Sequence, residues 1–218
     1  MSSFLRKPFR YTYKNACRII IAINVAVFVL LELFAVFGFP QLQGLFALVP
    51  HFVINKKMFW QVFTYQFLHG GIWHLFFNML ALLFFGIPLE QKMGTKEFVL
   101  FYLLCGTLCG IVGLGIYYFI WIKYGIPIIV IGSSGAVFSI MLAFAVLYPT
   151  STIFIWGIFP VPAPILILIY IAFELYGMFF SSGGVAHSIH LSGLAWAFLY
   201  IVIRFGINPI RVWRNTFK

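Results

Sequence analysis

Acid is nearly missing from this chain. It contains no aspartate, and its only carboxylate side chains are Glu32, Glu90, Glu97 and Glu174. Charged residues of both signs amount to 8% of 218 residues, against 63% hydrophobic and 21% aromatic. A soluble domain carries roughly 25% charged residues to solvate its surface. That class is therefore excluded, and an integral membrane protein remains. Cysteine is scarce too. Cys17, Cys105 and Cys109 have no metal-ligand spacing and no disulfide framework; Cys105 and Cys109 stand i, i+4 in an apolar segment and read as packing residues. Internal repeats and low-complexity segments are also missing, so one membrane domain is expected over residues 19–205, between basic tails at 1–18 and 206–218.

What the chain does have is long apolar runs with basic residues at their ends. A net charge of +10 would suit nucleic acid if the lysines and arginines formed a patch interleaved with aromatics. They flank apolar segments instead, so they read as topology signals and no nucleic-acid partner is expected. Apolar segments near 19–37, 73–89, 98–118, 134–147, 162–180 and 187–205 predict an all-α bundle of six transmembrane helices in the lipid bilayer. The first run is longer than a signal-peptide core and no small-x-small cleavage site follows it, so an uncleaved span is expected. Residues 38–73, rich in Phe and Trp, predict a partly ordered external loop that dips into the interface. Six crossings put both ends on one side. Eleven of the fourteen basic residues, at positions 6, 7, 10, 14, 18, 92, 96, 204, 211, 214 and 218, fall on that side, against Lys56, Lys57 and Lys123 opposite. The positive-inside rule then makes both termini cytoplasmic.

Within the uncharged run from Ile126 to Leu147 sits Gly132-Ser133-Ser134-Gly135. A helix starting at Ser134 has 15 residues before Pro149, about 22 Å of rise against a hydrocarbon core of about 30 Å. Ser134 therefore lies below one membrane surface at a helix start. The irregular backbone ahead of it must be buried in protein or line a wet cavity. Gly/Ser pairs also serve as close-packing sites between spanning helices, so the other polar residues decide. The second, fourth and sixth spans all run inward from the outer side. His74, with Asn78 one turn below it, then shares its depth with Ser134 and His190.

This set supplies a serine nucleophile, an imidazole base in His190, and oxyanion donors from His74, Asn78 and the Ser134 N–H. Gly135 and Gly193 let the fourth and sixth helices approach. With no aspartate, and with Glu90 and Glu97 at the cytoplasmic end, a Ser–His dyad is expected rather than a triad; Glu174, about two turns below the outer end of the fifth span, reads as structural or cavity-lining, with orienting His190 as the alternative. His187 and His190 stand i, i+3 without a carboxylate or cysteine nearby, so no metal is expected, and no cofactor.

These residues resemble the rhomboid intramembrane serine proteases. Gly132-Ser133-Ser134-Gly135 is similar to the family's GxSG motif, His190-Leu191-Ser192-Gly193 to its histidine motif, and His74-Leu75-Phe76-Phe77-Asn78 to its HxxxN oxyanion element. Gly86, Glu90 and Gly94 resemble the end of its second helix and the following turn. Trp60 and Phe67-Leu68-His69 resemble the end of its first loop, and Phe138 holds the position whose ring packs on the catalytic imidazole. Gln61 stands where many members carry arginine, and Ser192 where glycine is common. The resemblance runs from about Cys17 to Phe205. It implies a serine endopeptidase acting near the outer leaflet on transmembrane protein substrates, without a metal, and a multi-pass protein of a bacterial cytoplasmic membrane. Ser181-Ser182-Gly183-Gly184 is expected to form a mobile cap, and the fifth helix a lateral gate. The alternatives are a non-catalytic membrane chaperone or adaptor on the same fold, and a proton-relaying transporter.

Overall fold

A computed structural model describes residues 8–155, 157–180 and 184–218, with the backbone alone for 184–186. Helix α1 (Ala16–Val36) is followed by three short helices, α2 (Leu42–Phe46), α3 (Pro50–Asn55) and α4 (Gln61–Thr64). Next comes α5 (Ile72–Ala81), which passes through a π-helical turn at Leu82–Gly86 into α6 (Ile87–Met93). Two further helices are α7 (Thr95–Tyr124) and α8 (Ser134–Leu147). A hairpin of β1 (Thr152–Ile155) and β2 (Phe159–Pro162) leads to α9 (Ala163–Phe180). Finally α10 (Gly184–Tyr200) runs into a second π-helical turn, Ile201–Phe205, before α11 (Pro209–Thr216).

Among the described residues, five helical stretches are long and apolar enough to cross a membrane: Ala16–Val36, Ile72–Met93, Thr95–Tyr124, Ala163–Phe180 and His187–Phe205. The remaining apolar helix, α8, has 14 residues, about 21 Å of rise. It is also the centre of the bundle, with every residue from Ser139 to Val146 buried. Peripheral α1 is the converse, with only 11% of its span buried and Val29, Leu30 and Leu33 turned outward. Lipid is as apolar as leucine, so it provides no hydrophobic drive for helices to associate; close packing and hydrogen bonds must hold them.

One group of those hydrogen bonds lies at one end. Glu90 Oε1 and Oε2 accept from the N–H groups of Ala16 and Cys17 at 2.8 and 2.9 Å, satisfying orphan donors at the start of α1. Glu97 accepts from Arg204 Nε at 2.7 Å and from the Phe9 N–H at 3.2 Å. The N-terminal stretch, the α6–α7 turn and the end of the last long helix thus meet at one end of the bundle.

Two features depart from the sequence reading, and a third extends it. Thr152–Ile155 and Phe159–Pro162 pair antiparallel, so the chain is not all-α; four-residue strands, the second of them holding Pro160 and Pro162, carry too short a period to read. Residues 206–218 are not wholly a tail, because α11 docks through Trp213 Nε1, which donates to Ala145 O at 3.0 Å. The first loop, expected to be partly ordered, carries three short helices and is tied together by a buried side chain. Gln61, fully buried, accepts from the Val49 N–H at 3.0 Å and donates to Gly44 O at 3.0 Å, pinning the loop at the position where arginine is usual.

Candidate active site

The approach to α8 is fixed by backbone pairing. Val130 pairs with Leu48 in an isolated antiparallel bridge, and the Gly132 N–H donates to Tyr65 O at 3.0 Å. Gly132 then takes φ +122°, a conformation that side-chain-bearing residues rarely adopt. A Cβ there would also stand 2.8 Å from Cε1 and Nε2 of His74. The glycine therefore turns the chain and leaves room for the His74 ring beside Ser134. Ser134 opens α8, where the first N–H groups lack intrahelical acceptors.

His190 reaches this serine from α10, with Nε2 lying 2.8 Å from Ser134 Oγ. The imidazole is stacked on Phe138, centroids 4.4 Å apart and planes within 6°. The close approach of α8 and α10 depends on two glycines. A Cβ on Gly193 would overlap Gly135 O, while one on Gly135 would press on Cys109 Sγ at 3.0 Å and Ile189 at 3.1 Å. Ser139 bridges the contact, its hydroxyl within 2.9 Å of Gly135 O and 2.8 Å of Gly193 O. Ser192 keeps its extra atoms out of the way by donating to Ile189 O in its own helix at 2.7 Å.

The expected oxyanion donors line the same hollow. A cavity of about 390 Å³ is bounded by Trp73, His74, Asn78, Ser134, Phe138, Tyr170 and His190. A smaller one of about 110 Å³, between Tyr65, Gly132 and Ile189, also reaches Ser134 and His190. Asn78 spends one amide N–H on His74 O at 3.0 Å and has a second to offer. A larger hollow of about 550 Å³ near Leu142, Leu194 and Trp213 is lined by apolar side chains and offers no chemistry. In the preceding loop, His69 lies 3.3 Å from Ser133 Oγ. Burial, reinforced by the neighbouring His74, pushes its imidazole down to about 4, so it stays neutral at ordinary pH.

Glu174 changes the reading of the site. Its Oε1 lies 3.0 Å from His190 Nδ1 and its Oε2 lies 2.6 Å from His187 Nδ1. Where a bare Ser–His pair was expected, the structure sets a buried carboxylate against the far side of the imidazole. Where no carboxylate was expected beside the two histidines, Glu174 touches both. A readable signal was available. Glu174 stands six residues before Phe180, and His190 six residues after Gly184. Both therefore lie about 9 Å along the helix axis from the end of α9 and the start of α10 respectively. Of the expected cap, Ser181, Ser182 and Gly183 lie outside the described residues, and Gly184 opens α10.

A Ser–His–Glu chain of this kind can do acyl transfer. A carboxylate on Nδ1 holds the ring proton there and leaves the Nε2 lone pair facing the hydroxyl.

The chain is similar to proteins of known family. Rhomboid protein 1, mitochondrial, of Saccharomyces cerevisiae is 31% identical over 201 residues, covering 88% of this chain and 55% of the yeast protein. RHOMBOID-like protein 12, mitochondrial, of Arabidopsis thaliana is 30% identical over 154 residues, covering 62% of this chain and 44% of that one. Inactive RHOMBOID-like protein 8 of the same plant is 39% identical over 49 residues, 22% of this chain and 14% of its own length. The chain thus spans about half the yeast relative's length. Two of these relatives are named mitochondrial, so they lend no support to a bacterial cytoplasmic membrane. The family model for the Rhomboid domain matches residues 56–207, most of the chain and every residue of the site above, and the chain belongs to the rhomboid family.

Proposed function

We propose that this chain is an intramembrane serine endopeptidase that cuts transmembrane protein substrates, with Ser134 as nucleophile and His190 as general base. The observation that carries the reading is the 2.8 Å contact between Ser134 Oγ and His190 Nε2 in a hollow sunk into a membrane bundle. As Ser134 Oγ attacks the scissile carbonyl carbon, its proton passes to Nε2. Glu174 holds Nδ1–H and offsets the positive charge that forms on the ring. The oxyanion meets the Ser134 N–H, His74 and Asn78, and one such donor is worth roughly 10² to 10³ in rate. His190 then returns the proton to the departing amine, and water entering the hollow hydrolyses the acyl-enzyme.

In the bilayer the bundle crosses six times, with α8 as the short inner crossing and both ends cytoplasmic, following the basic-residue asymmetry. The substrate helix enters between α5 and α9, whose Trp73, Phe77 and Tyr170 wall the 390 Å³ hollow that holds Ser134 and His190. The competing reading is a non-catalytic membrane adaptor, prompted by the relative named inactive. Against it stands the retention of both Ser134 and His190, in hydrogen-bond contact.

A fluorophosphonate probe separates the two. It should label the wild-type chain and not Ser134→Ala, and in liposomes the wild type should cleave a single-span substrate while Ser134→Ala and His190→Ala fall to the blank rate. Folded wild-type protein that neither labels nor cleaves any of a panel of single-span substrates would leave the adaptor reading.

A further inference from the structure

We propose that Glu174, His187 and His190 form a zinc-binding site whose occupation switches the catalytic pair off. The switch, though not the site, rests on His190 being the base. Two imidazoles and one carboxylate are a donor set that Zn²⁺ favours, with an open fourth position for water. One ligand atom from each of the three residues lies within 4.8 Å of the other two. Both Nδ1 atoms face the same carboxylate, at 2.6 Å for His187 and 3.0 Å for His190. Tetrahedral zinc with bonds of about 2.1 Å needs its ligand atoms about 3.4 Å apart. The two carboxylate contacts have to lengthen by less than about 1 Å, and a pair as wide as 4.8 Å has to close by about 1.4 Å, to admit the ion.

The pocket is shaped for this ring pair by the α9 backbone. Gly177 lies one turn from Glu174, and a Cβ there would overlap the His187 ring, so only glycine seats that imidazole against the helix. The side chains of His187, His190 and Glu174 are 26%, 18% and 10% exposed, so the cluster is neither sealed nor free in solvent.

Occupation silences the base through proton bookkeeping on one ring. In the metal-free site, His190 carries its proton on Nδ1, donates it to Glu174, and presents the Nε2 lone pair to Ser134. Zinc takes the Nδ1 lone pair, so the ring proton moves to Nε2. No proton is gained or lost. Nε2–H then donates to Ser134 Oγ and can no longer accept from it. The carboxylate that oriented the ring becomes a ligand at the same moment.

The experiment uses the full chain, stripped of metal and titrated with zinc chloride against a chromogenic chelator, with cobalt(II) chloride as a spectroscopic stand-in. Wild type should bind one zinc per chain and give the visible bands of a nitrogen- and oxygen-ligated cobalt ion; His187→Ala and Glu174→Gln should bind at least tenfold more weakly. Zinc should slow fluorophosphonate labelling of Ser134 in wild type, EDTA should reverse this, and His187→Ala, judged against its own metal-free rate, should need at least tenfold more zinc. Absence of stoichiometric binding, or equal binding in both variants, overturns the site. Binding that depends on His187 but leaves Ser134 labelling unchanged overturns the switch. Binding is scored without reference to activity, so metal-free wild type that neither labels nor cleaves counts against the protease reading alone.

Discussion

At the scale of single residues, Glu174 is the group whose placement demands explanation. A carboxylate within a spanning helix is costly and is kept where partners repay it. Here it has two, His187 Nδ1 and His190 Nδ1, one for each oxygen. Glu174→Gln keeps the shape but gives one acceptor oxygen and one NH₂ group. One imidazole must then lose its acceptor, turn away or change tautomer, and if that ring is His190 the Nε2 lone pair is lost. We expect kcat to fall roughly tenfold or more with KM little changed, because the group orients the base rather than binding substrate. Cleavage kinetics in liposomes, beside an unfolding midpoint to confirm the fold, check this; unchanged kcat would make Glu174 purely structural. The roles proposed for Ser134, His190, His74 and Asn78 could be read from the sequence because spacing along each helix sets their depth. Glu174's contact could not be read so directly. Its depth was legible, but its rotation about the α9 axis was not, since α9 is apolar nearly all round and shows no stripe to orient it.

At the scale of elements, the meeting of α8 with α10 puts serine and imidazole in contact. Gly193 backs onto Gly135 O with no room for a methyl group, and Ser139 ties the two backbones together. Gly193→Ala must push the helices apart or bend them. We expect it to lower stability by about 1 to 3 kcal/mol and to slow fluorophosphonate labelling of Ser134, since the 2.8 Å contact spans the same seam. Gly115→Ala on α7, where nothing lies within 4 Å, is the control. Unfolding in graded SDS together with labelling rates reads both, and a Gly193→Ala chain as stable and as reactive as the control would refute the seam. The long helices were visible in the sequence as apolar runs with basic ends, to within about six residues, the widest miss being α7, which runs on to Tyr124. The pieces that escaped are the β-hairpin, the two π-helical turns and the short helices of the first loop. Each strand, turn or short helix is four to six residues long, below the length at which a hydrophobic period identifies itself, and the first loop is held by contacts across it, such as Gln61 to Val49 and Gly44.

At the scale of the whole molecule, the bundle has two chemically different ends. One joins Phe9, Glu90, Glu97 and Arg204 through hydrogen bonds and an ion pair. The other opens as the hollow around Ser134, His74 and His190. The topology proposed above puts the first end inside and the second outside, which requires an even number of crossings and therefore counts the 14-residue α8 as one of them. That inference can be tested without any assay of activity. The native cysteines are buried, Cys17 at 0%, Cys105 at 1% and Cys109 at 0% exposure, so a membrane-impermeant thiol reagent should leave the wild type unlabelled. In right-side-out vesicles, Lys57→Cys should react at once, whereas Arg10→Cys and Lys218→Cys should react only after the membrane is opened. Reaction of Arg10→Cys and Lys218→Cys from opposite sides would mean an odd number of crossings, with α8 failing to complete one. Reaction of both from outside, with Lys57→Cys shielded, would invert the molecule and turn the serine hollow toward the cytoplasm.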